Sequence, residues 1–183
     1  MMATTHGFVG LAIAAAVAVI APELAVAAAI GGIAGGIFPD LDVLAEHRRT
    51  LHFPGYYTMV ALPALGLAYV VTDVVTVGVA TFLVAAAVHS LSDALGGTPS
   101  AAPWKSDLDH GVYFHAADRW LPAKRWIRYD GAPEDFALGA VFALPGLVVF
   151  DGSIRYLALT GIAVSLVYTV FRRPIGNAVA GLE

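Results

Sequence analysis

Histidine and aspartate side chains stand where the long apolar stretches of this chain begin or end. In chain order they are His6, Asp40, Asp42, His47, His52, His89 and Asp93. Imidazole nitrogen and carboxylate oxygen together suit zinc, manganese or iron, whereas calcium prefers sites built from oxygen alone. The chain contains no cysteine, so thiolate ligands are excluded. The residue types therefore predict a transition-metal site.

Two pairs within this set have spacings that suit a shared ion. His89 and Asp93 are four residues apart, and in a helix side chains at positions i and i+4 lie one above the other. Asp40 and Asp42 follow Pro39 in a turn, where two short carboxylates can share metals or divide into ligand and base. Taken alone, an aspartate after a proline is usually a turn former. The joint pattern favours a metal site because ionisable groups beside apolar spans are costly and tend to mark function.

The predicted site is a divalent metal centre with one catalytic carboxylate. We expect zinc, with manganese as the alternative. The predicted metal ligands are His6, Asp40, His47, His52, His89 and Asp93. Asp42 is predicted to act as a general base or to orient a ligand.

The segments that must position these groups are typical of a membrane protein. The 183 residues are 58% apolar and only 13% charged, with a mean hydropathy of +0.76. Soluble domains are about 45–50% apolar and about 25% charged. Six uncharged stretches predict six helices, over residues 2–22, 24–39, 50–72, 74–92, 136–150 and 156–171. We therefore predict an all-α, polytopic membrane bundle formed by a single domain, residues 1–183.

Alternation of six spans across the membrane brings the seven side chains to one face of the bundle. The same face receives nine of the ten basic residues, all except Arg155. By the positive-inside rule this face, with both termini, is cytoplasmic, and the chain is predicted to lie in the cell membrane, whether inner or plasma membrane. The first apolar stretch lacks the basic start of a signal peptide, so we expect it to be retained.

The polar segment 96–134 is expected to be an interfacial or cytoplasmic loop between the fourth and fifth helices. It contains all three tryptophans of the chain, and tryptophan rings prefer the headgroup level. A short membrane-surface helix from Arg119 to Trp126 is one interpretation, and core packing of its aromatic residues is the other. His110 and His115 are better explained as loop histidines near headgroups than as further ligands.

Glycines recur on one side of the second predicted helix. They are Gly31, Gly32, Gly35 and Gly36. Small residues at this spacing allow two helices to approach closely. We interpret them as packing positions without a chemical role.

The polar motifs also occur in an order that resembles a known family. They are Thr5-His6, Pro39-Asp40-Leu41-Asp42, His47-Arg48-x-x-x-His52 and His89-Ser90-Leu91-Ser92-Asp93. Over residues 4–104 the chain thereby resembles the YdjM-like membrane-bound metal-dependent hydrolases, the LexA-binding inner-membrane type. The helical histidine–aspartate motif is also distantly similar to that of zinc-dependent phospholipase C enzymes. The resemblance implies a metal-dependent hydrolase and favours phosphoester substrates.

The chain departs from the family pattern around one histidine. Arg49, Leu51 and Phe53 stand where the usual run has glycine, threonine and serine. Both histidines of that run, His47 and His52, are present, so we expect metal ligation to persist. The polar support around His52 is expected to differ.

Two functions remain open from the sequence. The first is hydrolysis of a phosphoester or lipid headgroup at the cytoplasmic face, with membrane lipid as partner. The second is a non-enzymatic membrane protein with a structural or regulatory metal site. Metal transport fits less well because its ligands should lie near the bilayer midplane. The net charge is −4 and the chain has no basic run, so the sequence gives no indication of nucleic-acid binding. The sequence does not indicate an oligomeric state.

Overall fold

Six α-helices form the bundle in this computed structural model, which describes residues 1–181. They are α1 (Ala3–Ile20), α2 (Ala25–Ile37), α3 (Pro54–Val70), α4 (Val74–Ser92), α5 (Pro133–Val149) and α6 (Gly152–Val179). The all-α prediction is confirmed, and each predicted stretch contains one helix. The sixth helix continues past its predicted end at residue 171, so its last turns carry charged residues.

Four helical segments are long and apolar enough to cross a membrane. They are Ala3–Ile20, Pro22–Leu44, Val74–Leu95 and Gly152–Val179. The helices α3 and α5 have 17 residues each, fewer than the roughly 20 that a full span requires. Length and composition therefore identify a membrane protein with four clear candidate spans and two shorter apolar helices.

Proline and aspartate set the helix ends that matter for the site. The helix α2 gives way at Phe38 to a 3-10 segment, Phe38–Leu44, which has Pro39 in its first turn. Pro54 begins α3, as expected for a residue whose missing N–H is not needed at that position. The residues between these two prolines therefore form a 3-10 segment and a turn rather than α-helix, although the uncharged stretch begins at residue 50.

The helix α1 lies at the centre of the bundle and contacts α2, α4, α5 and α6. Its buried face is made of Phe8, Leu11 and a series of alanines. Asp135, at the start of α5, accepts hydrogen bonds from Thr5 Oγ1 at 2.8 Å and from the Met2 backbone N–H at 2.7 Å. These bonds fix the beginning of α1 against the beginning of α5.

Two glycines of α2 face α1 at very short range. A Cβ atom at Gly32 would lie 2.3 Å from the carbonyl oxygen of Gly10, and one at Gly36 would lie 2.3 Å from that of His6. Neither contact leaves room for a side chain, because in each case the obstacle is backbone. The first turns of α1 therefore lie directly against the end of α2.

The other two glycines face α4 in the same way. A Cβ atom at Gly31 would lie 2.1 Å from the carbonyl oxygen of Gly78, and one at Gly35 would lie 2.0 Å from that of Phe82. The predicted close packing is confirmed, and it involves two partner helices rather than one. The helix α2 thus holds the start of α1 and the end of α4 on either side of it.

A small β-hairpin lies within the long polar segment. Its strands, β1 (Val112–Phe114) and β2 (Arg119–Leu121), pair antiparallel with Val112 opposite Leu121. The membrane-surface helix suggested for Arg119–Trp126 is therefore wrong. Aromatic and β-branched residues in both strands favour sheet pairing, and a left-handed residue at Asp118 reverses the chain.

We expect Gly36→Ala to destabilise the protein by about 1–3 kcal/mol, because the new methyl group must displace the backbone of α1. The measurement is the thermal unfolding midpoint of purified protein in detergent. Gly66→Ala is the matched control, since no atom lies within 4 Å of a Cβ there and alanine is the better helix former. Equal midpoints for the two variants would contradict the close helix contact.

Candidate metal centre

Four side chains from three parts of the chain converge at one end of the bundle. Asp40 belongs to the 3-10 segment after α2, His52 precedes α3, and His89 and Asp93 lie at the end of α4. One ligand atom from each lies within 4.8 Å of the others. His52, His89 and Asp93 are buried, and Asp40 is partly exposed.

The distances among these four atoms match a tetrahedral ion. Nε2 of His52 lies 3.1 Å from Nε2 of His89 and 3.1 Å from Oδ2 of Asp93. Nε2 of His89 lies 3.6 Å from Oδ2 of Asp93 and 3.4 Å from Oδ1 of Asp40, and the distance from His52 to that oxygen is 3.9 Å. Metal–ligand bonds of about 2.0–2.1 Å imply tetrahedral edges of about 3.3 Å. Five of the six distances lie between 3.1 and 3.9 Å, and the four atoms all lie within 4.8 Å of one another, so two nitrogens and two oxygens are grouped closely enough to hold one ion.

Hydrogen bonds fix both ligand histidines in the orientation that a metal requires. Nδ1 of His52 lies 2.8 Å from Oδ2 of Asp42, and Nδ1 of His89 lies 2.6 Å from the carbonyl oxygen of Gly36. Because both partners are acceptors, each Nδ1 carries the proton and each Nε2 presents its lone pair. Metal-ligating histidines are almost always supported in this way.

Asp42 lies behind His52 rather than among the ligands. Its carboxylate accepts hydrogen bonds from the backbone N–H groups of Arg48 at 3.3 Å and Leu51 at 3.1 Å, besides the imidazoles of His47 and His52. The side chain is buried. These contacts make Asp42 the group that shapes the turn and orients its two histidines, the second of the roles considered for it.

The other two predicted ligands flank the group of four. Nε2 of His6 lies 3.0 Å from Oδ1 of Asp93, the oxygen that faces away from the other ligands. The His6 ring also stacks on the His89 ring, with centroids 3.6 Å apart. Nδ1 of His47 lies 2.8 Å from Oδ1 of Asp42, and its ring is partly exposed. The structure thus brings all seven predicted side chains together, with four in position to share one ion.

Arg48 connects the candidate ligands to the polar segment. It adopts a left-handed backbone conformation with φ of 62°, and its buried side chain bonds to the carbonyl oxygens of Gly97 and Gly111. Its Nε lies 3.2 Å from Oδ2 of Asp93. Arg49, by contrast, pairs with Glu46 and lies away from the site.

The charges at the site leave it net negative. Three carboxylates, Asp40, Asp42 and Asp93, lie beside two cations, the Arg48 guanidinium and the Met1 ammonium 3.0 Å from Asp93, which leaves one negative charge when the histidines are neutral. Buried charge is stable only when paired or bound to a metal. Burial lowers the pKa of His52, but its hydrogen bonds to Asp42 and Asp93 outweigh that effect, so the pKa of His52 is raised. The same negative surroundings favour a bound cation.

A cavity of about 580 Å³ reaches the edge of this group. Among its walls are Asp40, His47 and Arg48 on one side and residues of α6 on the other. Asp40 is therefore shared between the ligand group and the cavity. The metal site has one accessible side, and that side faces a space large enough for a small ligand.

The two histidines of the polar segment lie elsewhere. The His110 ring stacks on Trp120 with centroids 4.7 Å apart, and the His115 ring packs against Phe53 at 4.6 Å. Neither belongs to the ligand group found among residues 1–181. Their interpretation as loop histidines agrees with these contacts.

The chain matches no family model, no curated protein and no solved structure. The resemblance to the YdjM-like hydrolases therefore stays a prediction from motif order. The metal site stands on its own geometry.

We expect purified wild-type protein to retain about one divalent ion per chain and His89→Ala to lose it, because that variant removes a ligand. Asp42→Asn should weaken metal affinity by about 10–100-fold, the usual effect of losing a group that supports a ligand. Elemental analysis after dialysis against a graded chelator series measures both. His110→Ala is the matched control, and equal metal retention in His89→Ala and His110→Ala would rule out the assigned ligands.

Proposed function

We propose that this protein is a membrane-bound, metal-dependent hydrolase of phosphoesters, with zinc as the metal and manganese as the alternative. One observation carries the proposal: Asp40 belongs both to the ligand group and to the wall of the cavity. Four protein ligands would fill a tetrahedral shell, so a substrate or water would have to add as a fifth ligand or displace one carboxylate. Asp40, the one partly exposed ligand, is the position where the cavity would allow this. The resemblance in motif order to metal-dependent hydrolases agrees with this choice.

Asp40, His52, His89 and Asp93 would hold the ion. When bound there, it would supply Lewis-acid chemistry, polarising a phosphoryl oxygen and lowering the pKa of a water molecule toward about 7. The buried ligands and the hydrogen bonds behind them keep the donor atoms in place without reorganisation. Arg48 adds a fixed positive charge beside the group, which favours an anionic substrate.

His47 is the residue of this chain best placed to move a proton. Its ring is a wall of the cavity, and its Nδ1 is held by Asp42, which leaves Nε2 with a lone pair. A carboxylate behind an imidazole fixes the tautomer and stabilises the imidazolium that forms. The base predicted at Asp42 is thus replaced in our proposal by a pair, with Asp42 orienting and His47 accepting the proton of the attacking water and returning it to the leaving group.

We assign the site to the cytoplasmic face of the cell membrane. The metal ligands lie at the end of the bundle formed by the start of α1 and the ends of α2 and α4. Nine of the ten basic residues lie at that end, in its turns, its loops and the last turns of α6, and Arg155 alone lies near the other end. The positive-inside rule supports this orientation.

A structural metal site without catalysis, here called a metal clasp, is the second candidate function. Four protein ligands in tetrahedral arrangement are also the number that structural zinc sites use. In that case the ion would stabilise the junction of α2, α3 and α4. The two functions differ in whether the cavity beside Asp40 admits a substrate.

We expect the purified, zinc- or manganese-loaded protein to hydrolyse p-nitrophenyl phosphate or another ester from a panel of phosphoesters. His47→Gln should lower kcat by about 10²–10⁴-fold, the usual contribution of a positioned general base, while its metal content stays at the wild-type value. Steady-state kinetics and elemental analysis on the same samples measure the two effects, with His110→Gln as the matched control.

If no ester of the panel is hydrolysed and metal removal lowers the thermal unfolding midpoint strongly, the metal has a structural role instead. Full activity in His47→Gln would leave the hydrolase standing and remove His47 from the mechanism. Loss of metal in His47→Gln would return it to the ligand set predicted from the sequence.

For the topology, we expect reporters fused after Glu183 and inserted near Asp151 to lie on opposite sides of the membrane, the first in the cytoplasm. The reason is the concentration of basic residues at the site end of the bundle. Paired alkaline phosphatase and fluorescent-protein fusions measure this. Both reporters on the same side would overturn the assigned orientation.

A further inference from the structure

The cavity beside the metal group has both polar and apolar walls. The polar side chains include those of Asp40, Arg48 and Thr98. The apolar ones include Val43 of the 3-10 segment and Val164 of α6. These valines are 66% and 54% exposed, so they form an exposed apolar rim of the cavity.

The polar walls include one hydrogen-bond donor that the protein does not use. Thr98 is only 3% exposed, yet its Oγ1 has no hydrogen-bond partner among the described residues. Arg48, by contrast, is paired, because its Nε lies 3.2 Å from Oδ2 of Asp93 and its side chain also bonds to backbone carbonyl oxygens. A buried polar group normally has a partner, so the Thr98 hydroxyl indicates a missing acceptor.

The acceptor expected here is an anion with several oxygens. Arg172, a second guanidinium in the cavity wall, is already neutralised by two hydrogen bonds to the carboxylate of Asp130, at 2.8 and 2.9 Å. Arg48 and the Met1 ammonium, which also line the cavity, both pair with Asp93, so two cations face one carboxylate there. A divalent ion beside them would add to this positive charge. A phosphate group fits because it can accept from a hydroxyl, a guanidinium and a metal at once.

The polar walls are also buried. Arg48 and Thr98 are each only 3% exposed, which leaves little space beside them for a further headgroup. A terminal phosphate fits these walls better than a phosphodiester. The exposed valines of the rim lie on helical segments that can cross a membrane, where an acyl or alkyl chain would be.

We propose that the substrate is the phosphate monoester of a long-chain alcohol, a single-chain amphiphile drawn from the membrane. This inference rests on the proposed hydrolase. Its phosphate lies between Asp40, Arg48 and Thr98, and its chain leaves between Val43 and Val164. The volume of about 580 Å³ is in the usual range for a small-molecule site, roughly 300–1,000 Å³.

The reaction balances with water as the only co-reactant. The water oxygen forms a bond to phosphorus, and the bond between phosphorus and the alcohol oxygen breaks. One water proton passes through His47 to the departing alkoxide. The products are the long-chain alcohol, which returns to the membrane, and inorganic phosphate.

Two probes with the same reacting group separate chain recognition from catalysis. Wild-type protein in detergent should show a kcat/KM for dodecyl phosphate at least about tenfold higher than for ethyl phosphate, because each buried methylene adds binding energy. Val164→Trp, which partly blocks the rim, should reduce this preference about tenfold. Val167→Trp is the matched control, since Val167 is 58% exposed on the same helix and is not part of the cavity wall.

Binding of radiolabelled dodecyl phosphate to the metal-loaded protein, measured by equilibrium dialysis, gives a readout that needs no turnover. Thr98→Val should weaken this binding about tenfold by removing the free hydroxyl, and Val164→Trp should weaken it as well. If dodecyl phosphate binds, both variants weaken its binding and no hydrolysis occurs, the cavity is a binding site for a phosphorylated amphiphile, here called the amphiphile site. That result supports the amphiphile site and overturns the proposed hydrolase.

Equal kcat/KM for the two probes, unchanged by Val164→Trp, overturns the amphiphile site and leaves the hydrolase intact. If wild-type protein shows no saturable binding of dodecyl phosphate, the amphiphile site is overturned as well. Preference for ethyl phosphate would identify a soluble phosphate ester as the substrate instead.

Discussion

The backbone of α2 lies in direct contact with the backbones of α1 and α4, and the geometry of the metal site follows from that contact. Gly32 and Gly36 meet α1, whereas Gly31 and Gly35 meet α4. Only glycine permits carbonyl oxygens to come this close, because any Cβ would overlap them. The end of α4 and the start of α1 are thereby brought within stacking distance, which is why the imidazoles of His6 and His89 lie 3.6 Å apart.

Electrostatics at the site end depends on groups that are not themselves ligands. Asp42 closes the turn between α2 and α3 by accepting hydrogen bonds from His47 and His52 as well as from the backbone. Arg48 sits on the other side, bonded to carbonyl oxygens of the polar segment and close to Asp93. Burial of so many ionisable groups is unfavourable unless they are paired, so the four candidate ligands and these two residues form one interdependent unit.

The polar segment and α6 convert a buried ligand cluster into a site with an entrance. Arg172 of α6 is tied to Asp130 and to the carbonyl oxygen of Ala101, which holds the helix beside the polar segment. Residues of both, together with Asp40, line the cavity. In the function proposed above, this cavity is the space in which a substrate would meet the ion.

The sequence by itself determined the six helices, the glycine face of α2 and the set of seven side chains that meet at one end. These features depend on apolar run length, on turn residues and on the helical i, i+4 relation of His89 and Asp93, all of which act over a few residues. Only the tertiary structure showed which four of the seven side chains can share one ion, leaving His6 and His47 beside them. It also showed that Asp42 orients two histidines and that a hairpin stands where a surface helix was suggested. The cavity beside Asp40 was likewise visible only in the tertiary structure. Those outcomes depend on contacts between residues distant in sequence, such as His52 with His89 and Arg48 with Gly111, and local sequence patterns carry no information about such distances.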